Sequence, residues 1–188
     1  DNVFVGTNAG GGTWATAVST QNVAMGTSAL GGALNASNNN VVVGNNAGAS
    51  ITTGDENVII GSAAGDGAVD VDSLVIVGFY AGTAALESGA DGTVLIGAGA
   101  GAALTSGAGN TAVGYQSLDA LTGSGQNTAL GYGTLGTLID GDQNTAVGYN
   151  AMTSGTHTSY NFNTVVGANA GDAFNATAAI EHVTVLGA

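Results

Sequence analysis

Three blocks decide the fold: Asn110-Thr111-Ala112-Val113-Gly114-Tyr115, Asn127-Thr128-Ala129-Leu130-Gly131-Tyr132 and Asn144-Thr145-Ala146-Val147-Gly148-Tyr149. They lie 17 residues apart. Working outward, the same apolar run closed by glycine recurs at Gly6, Gly26, Gly44, Gly61, Gly78, Gly97, Gly114, Gly131, Gly148, Gly167 and Gly187, at spacings of 17 to 20 residues. A period this short is too small for a domain. It is one supersecondary unit that buries its apolar face only by stacking on its neighbours.

With each of these glycines as position 0, columns emerge. Position −1 is apolar in every repeat, from Val5 and Met25 to Val166 and Leu186. Position −3 is Val in the first six repeats and Thr in the last five, Thr111, Thr128, Thr145, Thr164 and Thr184. β-branched residues suit a pleated strand, and −1 and −3 share one face of it. They are the expected inward pair. Position −2 points the other way yet is also apolar (Phe4, Ala24, Val42, Ile59, Ile76, Leu95, Ala112, Ala129, Ala146, Val165, Val185). Strands apolar on both faces are covered on both faces. The −2 column therefore predicts something packed outside the coil, most simply a second copy of the chain.

Position −4 is Asn in eight repeats: Asn2, Asn22, Asn40, Asn57, Asn110, Asn127, Asn144 and Asn163. Asn tolerates corner geometry, and stacked coils would align these amides into a hydrogen-bonded ladder. Small residues follow the glycine, with Gly or a larger apolar residue (Leu30, Leu118, Leu135, Met152) at +4. A further apolar anchor comes at +7 or +8, such as Leu34, Ile51, Leu86, Leu104, Leu121, Leu138 and Phe174. Length variation falls in the polar linker beyond it, as surface loops allow.

These columns predict an all-β chain: a β-solenoid, or β-roll, of about eleven coils of 17–20 residues. Each coil has one strong strand and a weaker second one. Residues 1–188 read as a single array, and both ends fall inside the repeat, as in an excerpt of a longer fibre. Glycine recurs too often for helix, and no 3.6-residue stripe is present.

Composition narrows function. The chain has no Lys, no Arg, 13 acidic residues and no Cys. Nucleic acid is disfavoured as a partner, because phosphates need basic residues to displace their counterions. Anionic membrane surfaces are disfavoured for the same reason, and no run approaches the ~20 apolar residues of a membrane helix. Trypsin-like proteases have no site to cut.

The Asn-Thr-Ala-Val-Gly-Tyr blocks resemble the head repeats of trimeric autotransporter adhesins, the YadA-like family. They are similar also to the repeats of phage tail-fibre and related bacterial surface proteins. The resemblance covers the whole chain as a pattern and is strongest over 110–151. It implies a left-handed β-roll, three chains in one rod, an extracellular place on a cell surface or virion fibre, and attachment as the role. The expected function is thus a structural rod segment of an extracellular fibre or adhesin, with itself as partner and a cell-surface glycan or protein as target. Two alternatives stand beside it. One is the subunit of an extracellular filament stacking end to end. The other is an ice-binding solenoid, which would want Thr in two alternating columns.

Chemistry has few candidates. His157 and His182 lie in separate repeats, no Ser-His-Asp spacing stands out, and Gly97-Ala98-Gly99-Ala100-Gly101 lacks the Lys of a phosphate loop. The chain reads as a non-enzyme. Calcium is the one candidate cofactor, through Asp66, Asp70 and Asp72 in one linker and Asp140 and Asp142 around Gly141, with Asp55 and Glu56 beside Asn57. Tyr115, Tyr132 and Tyr149 share position +1, with Phe79 earlier. They predict an aromatic ladder, and an exposed one offers sugar rings a stacking surface. Asn35-Ala36-Ser37 and Asn175-Ala176-Thr177 match the glycosylation acceptor pattern.

Overall fold

The computed structural model describes residues 1–12, 17–153, 160–172, 174 and 180–187. Among the described residues, thirteen short strands run along the chain. Eleven of them form a single parallel sheet: β1 (Val3–Val5), β2 (Val23–Met25), β3 (Val41–Val43), β4 (Val58–Ile60), β5 (Val75–Val77), β6 (Val94–Ile96), β7 (Thr111–Val113), β8 (Thr128–Leu130), β9 (Thr145–Val147), β11 (Thr164–Val166) and β13 (Thr184–Leu186). Each pairs with the strand of the next repeat, in the order of the sequence. Register is kept throughout, −3 on −3, −2 on −2 and −1 on −1, as in Thr111↔Thr128, Ala112↔Ala129 and Val113↔Leu130. The chain is a β-solenoid. At the usual strand separation its sheet is about 48 Å long. β10 (Tyr160–Asn161) and β12 (Ile180–Glu181) form a second parallel pair. That is the weaker strand the repeat predicts, and among the described residues it is ordered as a strand only there. One 3-10 turn, Ser88–Ala90, interrupts the loops.

The strand's inside and outside are reversed from the sequence expectation. Position −2 is the core column: Ala24, Val42, Ile59, Ile76, Leu95, Ala112 and Ala129 are fully buried. Positions −1 and −3 face outward, and Val3, Val5, Met25, Val41, Ile60, Ile96, Leu130, Val166 and Leu186 all remain exposed. A three-residue strand has one central residue. Facing it inward lets a single side chain per coil fill a narrow lumen. Turning two β-branched or long side chains inward would overfill it.

The lumen is completed by small residues at +3 (Ala29, Ala47, Ala64, Ala81, Ala100) and by the +7 and +8 anchors Leu34, Ile51, Leu86, Leu104, Leu121 and Leu138, all buried in one continuous core. The glycine at position 0 ends each strand. At Gly114 φ is +142°, where L side chains are strained, and a Cβ would run into the Gly131 carbonyl of the next coil. The same clash recurs down the column, for instance Gly6 on the Gly26 carbonyl oxygen at 2.5 Å. The glycine column therefore exists because adjacent coils touch backbone to backbone at this corner.

Candidate functional site

Four columns lie along the solenoid, and each is set by the same register. The Asn column at −4 is buried: Asn22, Asn40, Asn57, Asn110, Asn127 and Asn144 have no exposed surface. Each of these amides bonds the next coil through both its nitrogen and its oxygen. The Asn127 Nδ2 donates to Asn110 Oδ1 (3.2 Å) and to the Gly141 carbonyl (2.8 Å). Its Oδ1 accepts from the Asn144 backbone N–H (3.0 Å) and from Asn144 Nδ2 (3.0 Å). Asn22, Asn40 and Asn57 repeat this pattern, as do Asn144 and Asn163. Asn2 opens the column, with its Oδ1 accepting from Asn22 N–H. Leu74 and Thr93 interrupt it, so the amides run in two blocks. Buried amides bonded from coil to coil in this way hold the coils in register.

A second polar column, at −6, is absent from the sequence reading. Asn38, Asp55, Asp72 and Asp91 each accept a backbone N–H from the preceding coil. The donors are Thr20 to Asn38 (2.8 Å), Asn38 to Asp55 (2.5 Å), Asp55 to Asp72 (2.7 Å) and Asp72 to Asp91 (2.9 Å). Asp142 takes the Gly125 N–H (2.7 Å), and Asn161 takes that of Asp142 (2.8 Å). Counting back six residues from each glycine would have found it. These bonds place the candidate calcium residues. Asp72 and Asp142 stitch coils together through backbone amides, Asp140 accepts the Ser124 hydroxyl, and Asp70 accepts the Ser88 N–H at 3.0 Å. Among the described residues, no three His, Asp or Glu side chains gather to hold a metal, so Asp66, Asp70 and Asp72 are not drawn into one cluster.

The aromatic column at +1 lies on the surface. Tyr115 and Tyr132 stack with centroids 5.1 Å apart and planes 18° apart, and Tyr132 and Tyr149 at 5.2 Å and 19°. All three are about half exposed. Phe79 stands in the same column two coils before Tyr115, with Tyr80 edge-on to it at 4.3 Å. Between them, +1 is Ala98. The missing ring leaves a cavity of about 190 Å³ lined by Phe79, Tyr80, Ala98, Gly99, Tyr115 and Gln116.

The fourth column pair is the outer sheet face, −3 and −1. It presents Val, Ile, Leu, Met and Thr and no ionisable side chain, although the chain carries a net charge of −13. At strand spacing and strand length it measures about 48 by 10 Å.

His182 stacks on Phe162 at 4.9 Å, while His157 and Asn175-Ala176-Thr177 lie outside the described residues. Ser37 of the Asn35-Ala36-Ser37 pattern is buried and donates to the Gly54 carbonyl. Two groups titrate away from their ordinary range. Burial raises the Asp119 carboxyl, against backbone N–H bonds from Asp119 and Ala120 that lower it. Burial also raises the Tyr160 phenol. Comparison with protein-family models, curated proteins and solved structures gives no match to this chain.

Proposed function

We propose that this chain is a structural rod segment of an extracellular fibre or adhesin, and that copies of it associate side by side through the outer sheet face. The observation that carries the reading is the uncharged strip formed by −3 and −1 over eleven successive strands. An uncharged strip of this size matches the largest apolar patches of single soluble chains, which are often functional contact surfaces. The charge distribution supports self-association: all thirteen acidic residues sit off the strip, so two strips meet without bringing carboxylates together. The sequence argument for a covering partner therefore moves from −2 to −1 and −3 and gains a second column. A trimer and a left-handed coil follow from the resemblance of the Asn-Thr-Ala-Val-Gly-Tyr blocks. Rod stiffness follows from in-register backbone pairing and the two stitched polar columns. The absence of Lys and Arg suits exposure to trypsin-like proteases.

Light scattering at micromolar concentration tests this. The expected mass is a small multiple of the chain. Ile60→Glu with Ile96→Glu, both on the strip, should return it to a single chain while the melt keeps its cooperativity. A wild-type monomer overturns the reading, and a mass that grows without limit supports end-to-end filaments instead.

Ice binding is the second reading. It is favoured by the outward placement of Thr111, Thr128, Thr145, Thr164 and Thr184. The neighbouring −1 column is aliphatic over the same coils, so only half of the two-column Thr pattern is met. Thermal hysteresis in a freezing assay would decide it.

A further inference from the structure

We infer that the gap in the aromatic column at Ala98 is a binding slot for one neutral pyranose ring. It adds a ligand to the rod and does not depend on how rods associate.

The geometry of the column defines the slot. Tyr115, Tyr132 and Tyr149 show what continuous occupancy looks like, one ring per coil at 5.1 and 5.2 Å. Phe79 and Tyr115 are two coils apart, about 9.6 Å by strand spacing, with Ala98 where a ring would stand. The neighbouring +2 column deepens the gap: Gly99 sits between Tyr80 and Gln116, and a Cβ on it would already touch Gln116 Cγ at 3.3 Å. Ala98 and Gly99 thus form a half-buried floor between exposed walls. Two of the floor's backbone groups are already paired, since Gly99 N–H donates to the Phe79 carbonyl and Gln116 N–H to the Ala98 carbonyl, both at 3.0 Å. At the rim, the phenol hydroxyls of Tyr80 and Tyr115 and the Gln116 amide supply both donors and acceptors for the ligand.

Three features select the ligand. First, a ring midway between the walls lies about 4.8 Å from each, close to the 5.1 and 5.2 Å at which the tyrosines of this column stack, and a puckered saturated ring at that distance turns the positive ends of its axial C–H groups toward the aromatic walls. Second, no lining residue is charged, and the chain as a whole is strongly acidic, so an anionic sugar is repelled. Third, a cavity of about 190 Å³ is below the ~300–1,000 Å³ of drug-sized sites, which limits it to one ring of a glycan.

The test uses the whole chain with methyl β-D-glucopyranoside, methyl β-D-galactopyranoside and N-acetylglucosamine as probes, read by saturation-transfer NMR and tyrosine fluorescence. Millimolar binding of at least one is expected. Ala98→Tyr supplies the missing ring, in a column that already holds Tyr in three coils. It should weaken binding at least tenfold with no loss in melting temperature, which separates slot closure from misfolding. Tyr115→Ala should weaken binding similarly, whereas Tyr149→Ala, at the far end of the ladder, should change it less than twofold. Glucuronate should bind more weakly than the neutral glucoside, and less so as salt is raised. The inference is overturned if no pyranoside binds, if Ala98→Tyr leaves binding intact, if Tyr149→Ala is as damaging as Tyr115→Ala, or if phenol saturates the slot more tightly than every pyranoside.

Discussion

Leu95 occupies the space that a side chain at Gly101 would need: a Cβ on Gly101 would lie 2.6 Å from Leu95 Cδ2. The pair stands for a rule that spans the array. Where −2 is large (Phe4, Val42, Ile59, Ile76, Leu95, Val165), +4 is glycine (Gly10, Gly48, Gly65, Gly82, Gly101, Gly171). Where −2 is alanine (Ala24, Ala112, Ala129, Ala146), +4 is Leu30, Leu118, Leu135 or Met152. Beside the +7 or +8 anchor, one large side chain per coil fills this part of the lumen, from either wall. Leu30, Leu118, Leu135 and Met152 accept a left-handed backbone, φ 52° to 55°, to supply it. Leu95→Ala alone should cost roughly 2–5 kcal/mol, and Gly101→Leu alone should fail by overpacking. The double variant Leu95→Ala with Gly101→Leu should recover most of the stability in a denaturant titration. Additive losses would refute the exchange.

Backbone contact at the corner makes a second contrast. Gly114→Ala places a Cβ against the Gly131 carbonyl and should disrupt stacking on the following coil. Gly92, also at positive φ (+69°), has nothing within 4 Å of its Cβ position. Gly92→Ala should cost only the intrinsic backbone strain, about 1–2 kcal/mol. Thermal melts of the two variants should differ widely, and equal losses would remove the close approach as the reason for the glycine column.

The buried amide column predicts an unusual ranking of substitutions. Asn127→Ala leaves the Gly141 carbonyl and the Asn144 N–H without their partner, at about 1–3 kcal/mol for each orphaned group. Asn127→Asp keeps the shape but turns a donor into an acceptor facing Asn110 Oδ1 and the Gly141 carbonyl. Burial opposes its charge, so the variant should be least stable at neutral pH and recover as pH falls and the carboxyl protonates. Melting as a function of pH between 3 and 8 reads this directly.

Asp119 gives a pH dependence in the native chain. Its carboxyl titrates above the ordinary value of 3.8 in the fold because of burial. The folded state therefore holds this proton more tightly than the unfolded state. The group's contribution is fully present below the unfolded pKa and is lost as pH rises through the folded one. Asp119→Asn should raise stability at pH 7 and leave it unchanged near pH 3. A variant that is destabilised at pH 7 would show that the carboxylate has a favourable partner.

The −6 column stacks Asp55, Asp72 and Asp91 at successive coils with no basic residue in the chain to offset them. Added salt should raise the melting temperature by screening. Calcium should do so no more than magnesium at matched ionic strength, because the carboxylates are spread along the rod. A calcium-specific rise, abolished by chelator, would establish a site.

The strand, its period, the parallel stacking and the aligned Asn and Tyr columns are all legible in the chain, because a fixed repeat forces like onto like. The inward face was not. With only three residues per strand and both faces apolar, Val113, Ala112 and Thr111 offer no alternation from which inside and outside can be told. The deciding signal lay in two columns read together. Ala112 is paired with Leu118 and Leu95 with Gly101, and only positions that share a cavity need to trade volume. The −6 column was obscured because it mixes Asp and Asn, which present the same side-chain oxygen, with Ala108 and Gly125, which present none. The slot at Ala98 was obscured because an absent ring leaves no mark in a motif search.

The glycine corner has a consequence for how such a chain changes through inheritance. Each coil meets only the one before it and the one after it, by the same carbonyl contact and the same −3, −2, −1 register. Deleting or copying one whole repeat keeps the glycine contact and the strand register at every junction, provided the volume exchange within each coil is kept. Slippage during replication of the gene therefore yields shorter or longer proteins that still fold, whereas a one-residue insertion inside a strand is lethal to the stack.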